Sequence, residues 1–302
     1  MRCALPFTKM QALGNDFVFV DEVELAATQL GATVVEKLTE RGAELARKVC
    51  DRHFGIGADG LILVRASQRK DCQVGWLYFN SDGSISDMCG NGLRCVALWA
   101  SVNQLVTGKD FAVETAIGPV PVRFEGAHSI TTDIGEPVLS SKLIPLSGPA
   151  QDKVISQTID ISGHRLNATC VSMGNPHCVI FDSGLSDAEQ RALAPAIQQL
   201  PLFPESVNVE FVTVKARNHA EVFVWERGCG PTLACASGAA AVLVAGVLEA
   251  RLDRSAKITL PGGSLNVSWS AEDNRVRIEG PAQVSYKGVF DLAQFLPEAC
   301  QK

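Results

Sequence analysis

Short apolar runs bounded by turn residues dominate the pattern of hydrophobic and polar positions along the chain. Runs of β-branched and aromatic residues that end at Gly, Pro, Asn or Asp are typical of strands. They are DFVFVD, GLILVR, QVGWLYFN, FAVETAIGPVPVRF, CVIFD, EVFVWE, KITLPGGSLNVSWS and RVRIEG. Four segments have helical spacing instead: EKLTERGAELARKVCDR, GLRCVALWASVNQ, SDAEQRALAPAIQQL and SGAAAVLVAGVLEAR. The pattern predicts a mixed α+β protein in which antiparallel strands wrap helices.

An internal repeat divides the chain into two similar parts. The segment from Trp76, WLYFNSDGSISDMCGNGLRCVALWA, aligns with the segment from Val222, VFVWERGCGPTLACASGAAAVLVAG. The alignment places Cys89 on Cys235, each at the entrance of an apolar helix. A second match places LGNDFVFV on MGNPHCVI. We therefore predict two similar halves, each with one Cys at the start of a helix.

The position of these two cysteines favours chemistry over packing. A Cys inside an apolar helix, such as Cys95, is usually an inert core residue. Cys89 and Cys235 instead precede their helices and are followed by GNG and ASG. The N–H groups at a helix N-terminus attract anions and lower the pKa of a nearby thiol. We predict that both are functional thiols with lowered pKa values.

Composition narrows the functional classes. The chain has 302 residues and 46% hydrophobic content, enough for two domains with cores. Its net charge of −6, without basic clusters, argues against nucleic acid as a partner. The start, MRCALPFTKM, lacks a signal-peptide core, and LACASGAAAVLVAGVLEA is interpreted as a buried helix rather than a membrane span. Ten cysteines in so long a chain predict reduced thiols in a cytoplasmic protein.

Neither a metal nor a cofactor is expected. No cysteine pair has the spacing of a zinc finger, and the HC dipeptide at 177 and 178 has no matching second pair. The stretch GIGADG looks like a nucleotide fingerprint, but the strand LILV follows it rather than a helix. The remaining hypothesis uses the two thiols alone. One removes the α-proton of an amino acid and the other delivers a proton from the opposite face, which is racemisation or epimerisation.

Eight motifs, taken in order, resemble the diaminopimelate epimerase family, whose members are cofactor-independent enzymes of lysine and cell-wall precursor synthesis. They are KMQALGNDF, DRHFGIGADG, FNSDGS, MCGNGLRC, VSMGNPHC, VNVEFV, WERG and LAC. The resemblance runs from about Phe7 to Gly288. It implies two pseudo-symmetric domains, each a β-barrel-like sheet around a central helix, with the active site in the cleft between them. The implied bounds are 1–127, completed by 286–302, and 128–285.

The resemblance also implies roles for individual residues. Cys89 and Cys235 match the two acid/base residues, and His177 and Glu226 match the groups that orient or help deprotonate them. The implied substrate-binding residues are Asn15, Asn80, Gly90, Asn91, Asn175, Asn208, Arg227, Ala236 and Ser237. The planar guanidinium of Arg227 suits a two-pronged grip on a distal carboxylate. Ordinary alternatives stay open: a turn for the asparagines, a core position for His177 and a solvated strand end for Arg227.

Several positions depart from the family pattern. Ala236 and Ser237 follow the second Cys where Gly-Thr is usual, and Pro231 and Asp87 stand where Glu is common. Gly60 stands where some members have Gln, and Cys229 adds a thiol without an evident role.

Three functions are therefore carried forward. The first is epimerisation of LL-diaminopimelate to the meso form. The second is racemisation of another amino acid, and the third is amino-acid binding by a catalytically silent relative. A small-molecule substrate is the expected partner, with no nucleic acid and no membrane, and a homodimer is left open.

Overall fold

The structure is a computed structural model that describes residues 4–26 and 31–300. Its strands are β1 (Ala4–Ala12), β2 (Asn15–Asp21), β3 (Gly60–Arg65), β4 (Val74–Asn80), β5 (Asp110–Thr115), β6 (Gly118–Gly126), β7 (Ser129–Asp133), β8 (Val154–Ile161), β9 (His164–Ser172), β10 (Pro176–Phe181), β11 (Asn208–Ala216), β12 (His219–Glu226), β13 (Gly230–Pro231), β14 (Ser255–Leu260), β15 (Gly263–Trp269), β16 (Val276–Gly280) and β17 (Gln283–Asp291). Its helices are α1 (Glu22–Ala26), α2 (Gly31–Glu40), α3 (Gly42–Val49), α4 (Gly90–Val102), α5 (Asp187–Gln198), α6 (Ala236–Leu248) and α7 (Leu292–Phe295), and a 3-10 turn covers Pro297–Cys300.

The chain forms two compact units. Unit 1 comprises Met1–Thr132 and Pro281–Lys302, and unit 2 comprises Asp133–Gly280. Strands and helices mix in both, which confirms the predicted α+β class. The domain bounds given above for the two epimerase halves stay predictions.

Unit 1 is a sheet of eight strands in the order β17–β1–β2–β3–β4–β5–β6–β7. The pairs β2–β3 and β4–β5 are parallel and the others are antiparallel. Strand β2 is apolar on both faces: Phe17 and Phe19 belong to the core around α4, whereas Val18 and Val20 belong to a second core with α2 and α3. Burial on both faces explains why the sequence of this strand is an unbroken run of apolar residues.

Helix α4 lies in the first of these cores. Side chains from the surrounding strands pack around it, among them Met10, Ile62, Trp76, Val113 and Val120. Ten consecutive residues of the helix, from Asn91 to Ala100, are buried. The helix that follows Cys89 is therefore held on all sides by the sheet, which gives its first turn a fixed position.

The long helix predicted from EKLTERGAELARKVCDR is wrong in one respect, because the structure divides it. Helix α2 ends at Glu40 and α3 begins at Gly42, with Arg41 outside helical geometry. A Cβ on Gly42 would lie 2.3 Å from the ring of Phe79. Glycine lets α3 approach this ring, and its weak helix propensity favours a break at the same place.

Unit 2 repeats the arrangement of unit 1. Its strands follow the order β8–β9–β10–β11–β12–β14–β15–β16, with β10–β11 and β12–β14 parallel and the others antiparallel. Helix α6 takes the place of α4, and both have 13 residues. The internal repeat predicted from the sequence is thus confirmed in the order and direction of the strands. Ser186 is the N-cap of helix α5 and forms a capping box with Glu189.

Helix α6 is the most apolar segment of the chain. Nearly every residue from Ala236 to Gly246 is buried, which confirms the predicted buried helix. Among the described helices, none has the length and hydropathy needed to cross a membrane.

Candidate active site

Cys89 is the N-cap of α4. Its backbone is extended, with φ −146° and ψ 109°, and its Sγ accepts a hydrogen bond from the N–H of Gly92 at 3.4 Å. The side chain is half-buried. A sulfur thus occupies the place that a serine or aspartate oxygen usually takes at a helix N-terminus, where the helix dipole favours negative charge.

Asn15 lies directly beside this thiol. Its Oδ1 accepts from Cys89 Sγ at 3.8 Å and from Asn91 Nδ2 at 3.1 Å. Its Nδ2 donates to Asp59 Oδ2 at 2.7 Å, and Arg52 holds the other Asp59 oxygen at 2.8 Å. The orientation of the Asn15 amide is therefore fixed by Asp59, the acidic residue of GIGADG.

A cluster of charges around the buried Lys9 supports the Asp59 loop. Lys9 donates to the carbonyl of Gly57 and lies 2.7 Å from Asp16, which also pairs with Arg52 at 2.8 Å. Burial alone would raise the pKa of Asp16, but hydrogen bonds from Arg52 and Lys9 outweigh it and the pKa is lowered. Asp16 is consequently an anion that holds two cations behind Asn15.

Arg94 is a fully buried cation one turn further along α4. It donates to Asn91 Oδ1 at 2.6 Å and to the carbonyls of Gly90 and Pro281 at 3.3 Å each. These three acceptors are neutral. Burial lowers the pKa of Arg94 to about 10. The guanidinium therefore stays protonated at neutral pH and fixes the Asn91 side chain.

Asn80 ends β4, next to the Asp59 loop. Its Nδ2 donates to Ser84 Oγ at 2.9 Å, and the N–H of Ser81 donates to the carbonyl of Asp59 at 3.0 Å. Gly60 follows Asp59, and a Cβ there would lie 2.4 Å from the ring of Tyr78. Glycine at this position is thus required by packing, whatever other members of the family carry.

Cys235 is the N-cap of α6 and matches Cys89 in geometry. Its backbone is extended, with φ −122° and ψ 109°, and its Sγ accepts from the N–H of Gly238 at 3.4 Å. The Ser237 hydroxyl lies 3.5 Å from the same sulfur. Cys235 is more buried than Cys89, with an exposed fraction of 5%.

The expected lowering of the thiol pKa is wrong for Cys235. Burial and the negative charges of Glu226 and Glu210 raise its pKa well above the ordinary value, and the bonds from Ser237 and Gly238 only partly oppose them. The helix terminus acts in the predicted direction, but its effect is smaller than desolvation beside two carboxylates. At neutral pH Cys235 therefore carries its proton.

His177 is a fully buried residue of β10. Its Nδ1 lies 2.6 Å from Glu210 Oε1, and its Nε2 lies 3.0 Å from Asn175 Oδ1. Two of the predicted site residues, His177 and Asn175, thus contact each other. The third member, Glu210, belongs to VNVEFV, a motif in which only Asn208 was assigned a role.

Glu226, Arg227 and Asn208 meet where β12 ends. Asn208 Oδ1 accepts from the N–H of Arg227 at 2.8 Å, and Asn208 Nδ2 donates to the carbonyl of Pro176 at 3.0 Å. Glu226 accepts a hydrogen bond from the Thr232 hydroxyl. The Arg227 guanidinium is exposed and donates to the carbonyl of Glu205 at 3.0 Å. Asn208 thus ties the backbone of Arg227 to β10, whether or not it also binds a substrate.

The first turns of the two helices carry the predicted anion-binding amides. Gly90 and Asn91 begin α4, and Ala236 and Ser237 begin α6. The first N–H groups of a helix have no acceptor within the helix, so they point outward at its end. Ala236 replaces the usual glycine without ending the helix. Both pairs of amides therefore stand next to a cysteine sulfur, as anion binding would require.

Glycine is required at the third position of both helices. A Cβ on Gly92 would lie 2.8 Å from the Trp76 ring, and a Cβ on Gly238 would lie 2.9 Å from Glu210 Oε1. Neither glycine has a positive φ, so the requirement is space for neighbouring side chains.

The three other departures lie near the surface. Cys229 is exposed in the turn after β12, and Pro231 pairs with Trp225 as part of β13. Asp87 is exposed in the loop before Cys89. Within residues 4–26 and 31–300, no three His, Cys, Asp or Glu side chains are grouped to hold a metal.

Arg94, Glu210 and Asp59 were not predicted from the sequence, although all three lie in motifs that were recognised. Two of them could have been found from the sequence, because each is a charged residue inside an otherwise apolar element. These elements are LRCVALW for Arg94 and VNVEFV for Glu210. A charge in such a place is normally paired or functional, because its burial is costly.

Comparison with known proteins gives the family of the chain. The sequence model described as diaminopimelate epimerase matches residues 7–140 and 169–284. The diaminopimelate epimerase of Rippkaea orientalis is 40% identical over 96% of this chain and 100% of its own length. That of Desulfitobacterium hafniense is 41% identical over 95% of this chain and 98% of its own length.

Solved structures of distant proteins share the fold. A hydroxyproline epimerase from Agrobacterium vitis superposes with a TM-score of 0.67 at 13% identity, covering 96% of this chain and 94% of that protein. A phenazine biosynthesis protein of the PhzF family from Bacillus anthracis gives 0.62 at 14% identity, covering 95% and 99%. The motifs, the duplicated fold, the family model and the full-length relatives agree, and the chain belongs to the diaminopimelate epimerase family.

Proposed function

We propose that this chain epimerises LL-diaminopimelate to meso-diaminopimelate, a reaction of lysine and cell-wall precursor biosynthesis. Family membership makes it an isomerase, and relatives at about 40% identity over nearly the whole chain are named for this reaction. The observation that carries the mechanism is the duplicated sulfur. Each unit has an extended Cys as the N-cap of a buried 13-residue helix, with an N–H bond to Sγ at 3.4 Å.

Proton transfer at the α-carbon needs one thiolate and one thiol. The thiolate removes the α-proton, the electron pair stays on the α-carbon and its carboxylate, and the opposite thiol gives a proton to the other face. Burial and two carboxylates keep Cys235 protonated before substrate binds, so it suits the donor role in that state. The reaction requires both sulfurs to reach one α-carbon, which stays a prediction.

The amides beside each sulfur would bind the reacting carboxylate. Gly90 and Asn91 in one helix, and Ala236 and Ser237 in the other, present N–H groups of a first turn. An anion held there also stabilises the negative charge that develops when the α-proton leaves.

The remaining polar groups would recognise the distal end of the substrate. We assign this role to Asn15, Asn80, Asn175, Asn208 and Arg227, of which Arg227 has an exposed guanidinium. His177 and Glu226 would assist the thiols, since the charge of Glu226 already raises the pKa of Cys235. The cytoplasmic location, the homodimer, and the absence of nucleic-acid, membrane and metal partners stay predictions.

A panel of amino-acid stereoisomers tests the proposal. The purified protein is incubated separately with LL- and meso-diaminopimelate and with single stereoisomers of histidine, glutamate and lysine, and the products are separated by chiral chromatography. We expect interconversion of the diaminopimelate isomers only. Turnover of another amino acid would identify a related racemase, and no turnover at all would identify a silent binding protein.

A further inference from the structure

Glu210 is a buried carboxylate that the proposed reaction does not use. It lies on β11 with an exposed fraction of 0%, and its Oε1 contacts His177 Nδ1 at 2.6 Å. Its other oxygen, Oε2, is buried without a hydrogen-bond partner among the described residues. An unsatisfied buried oxygen is costly, so a glutamate here needs a reason other than packing.

The duplicated fold provides an internal comparison for this position. In unit 2 the parallel ladder pairs His177 with Asn208 and, two residues on, Val179 with Glu210. In unit 1 the equivalent ladder pairs Phe17 with Gly60 and, two residues on, Phe19 with Ile62. Phe17 and Ile62 therefore occupy the places of His177 and Glu210.

Ile62 and Glu210 each lie next to the third residue of the core helix of their own unit. Ile62 is 3.2 Å from the Cβ position of Gly92, and Glu210 Oε1 is 2.9 Å from the Cβ position of Gly238. Unit 1 fills the site with an apolar pair, which belongs to its core. The fold thus accepts Phe and Ile here, and a His and Glu pair in unit 2 is not needed to build it.

The hydrogen bonds of His177 and Glu210 define where their protons lie. Asn175 Oδ1 faces His177 Nε2 at 3.0 Å, so that nitrogen carries a proton. One further proton lies between His177 Nδ1 and Glu210 Oε1, and the pair is electrically neutral whichever atom holds it. Burial raises the pKa of Glu210, as does the charge of Glu226, whereas His177 opposes them.

We propose that Glu210 is a positioning residue for the epimerisation: it fixes the ring and the tautomer of His177. Glu210 Oε1 and Cys235 Sγ lie 2.9 and 3.3 Å from the same point, the Cβ position of Gly238, so the two groups are near neighbours. The inference rests on the proposed function, because it assigns Glu210 to the assistance that His177 gives. The charged and titratable groups that face Glu210 are His177, Glu226, Cys235 and Cys178.

Two substitutions separate positioning from packing and from proton transfer. Glu210→Gln keeps the shape and donates an amide N–H to His177 Nδ1, so it should retain kcat within about tenfold of the wild type. Glu210→Ile copies the residue of unit 1 and removes the bond, so kcat should fall roughly 100-fold, the cost of misplacing a catalytic group. Values of KM should change little. The control Glu221→Gln removes a carboxylate of an exposed pair with Lys215 and should leave kcat unchanged.

The outcomes are distinct. Wild-type kcat in a folded Glu210→Ile variant overturns the inference, because Glu210 then only fills space. Equal loss in the Gln and Ile variants also overturns it, because Glu210 then transfers protons itself. Circular dichroism melts of all variants show which are folded. If the Ile variant folds poorly, Glu210→Ala replaces it in the kinetic and tautomer measurements, because this substitution also removes the hydrogen bond to His177 Nδ1.

The tautomer of His177 gives a readout that does not depend on turnover. Long-range ¹H–¹⁵N NMR spectra should show one His177 form, protonated at Nε2, in the wild type and in Glu210→Gln. Glu210→Ile should show mixed tautomers, because only Asn175 then contacts the ring and its amide can turn to donate as well as accept. Identical spectra in all three proteins would overturn the inference. A wild type that is inert with diaminopimelate, but has these spectra, would contradict the proposed function and leave the role of Glu210 in fixing His177 supported.

Discussion

Gly238 separates Cys235 from Glu210, and Gly238→Ala should reduce activity far more than stability. The new Cβ would lie 2.9 Å from Glu210 Oε1 and 3.3 Å from both Cys235 Cβ and Sγ. The first distance is shorter than van der Waals contact, so one of the two groups must move. Since α6 is buried, the side chains of Glu210 and Cys235 take up this movement.

The size of the effect follows from two opposing terms. Overpacking a core costs about 1 to 3 kcal/mol, and replacing glycine by alanine in a helix gains about 1 kcal/mol. The free energy of unfolding should therefore fall by about 0 to 2 kcal/mol. Misplacing a reacting group by about 1 Å costs roughly 100-fold in rate, so kcat should fall by this factor.

Gly246→Ala is the matched control in the same helix. Its Cβ would lie 2.6 Å from the side chain of Leu252, at the end of α6 away from Cys235. The same substitution thus meets a flexible apolar side chain instead of the reacting sulfur. Thermal melts and kcat are measured for both variants. Near-normal kcat in Gly238→Ala, or equal losses in both variants, would refute the reasoning that this glycine serves the reaction.

Four further substitutions test single parts of the site. Cys89→Ala and Cys235→Ala should each abolish epimerisation while lowering the free energy of unfolding by about 1 kcal/mol; turnover near the wild-type rate would remove that Cys from the mechanism. Arg227→Lys keeps the charge but loses the planar fork, so KM for diaminopimelate should rise about tenfold, and an unchanged KM would favour another substrate. Asp59→Ala frees the Asn15 amide, so kcat/KM should fall about tenfold in steady-state assays, and an unchanged value would show that Asn15 needs no such support.

Much of the fold could be predicted from the sequence because local patterns agree with tertiary structure. The apolar helices after Cys89 and Cys235 and most strand runs were placed correctly, and the repeat revealed the duplicated topology. The break at Arg41 was missed because a single glycine at position 42 is a weak local signal, and the close approach of the Phe79 ring to Gly42 joins distant parts of the chain. No local pattern reports such a contact.

The chemistry of the site was harder to predict from the sequence than the fold. The sequence predicted that Cys235 lies at a helix terminus. It did not predict the burial of Cys235 or the two carboxylates beside it, and these determine the direction in which its pKa is shifted. The charge of Glu210 inside the apolar run VNVEFV indicated a paired or functional residue, but only the fold shows that it contacts His177. Patterns along a chain report neighbours in sequence, whereas a pKa depends on neighbours in space.

The two-thiol mechanism is tested most directly by running the reaction in deuterated water. The thiol that removes the substrate proton differs from the thiol that donates, and the donor has exchanged with solvent. At early times the product should carry deuterium at the inverted α-carbon while recovered substrate stays mostly unlabelled, in both directions of reaction. Mass spectrometry of the separated stereoisomers measures this. Equal early labelling of substrate and product would contradict the assignment of Cys89 and Cys235 as separate acid and base.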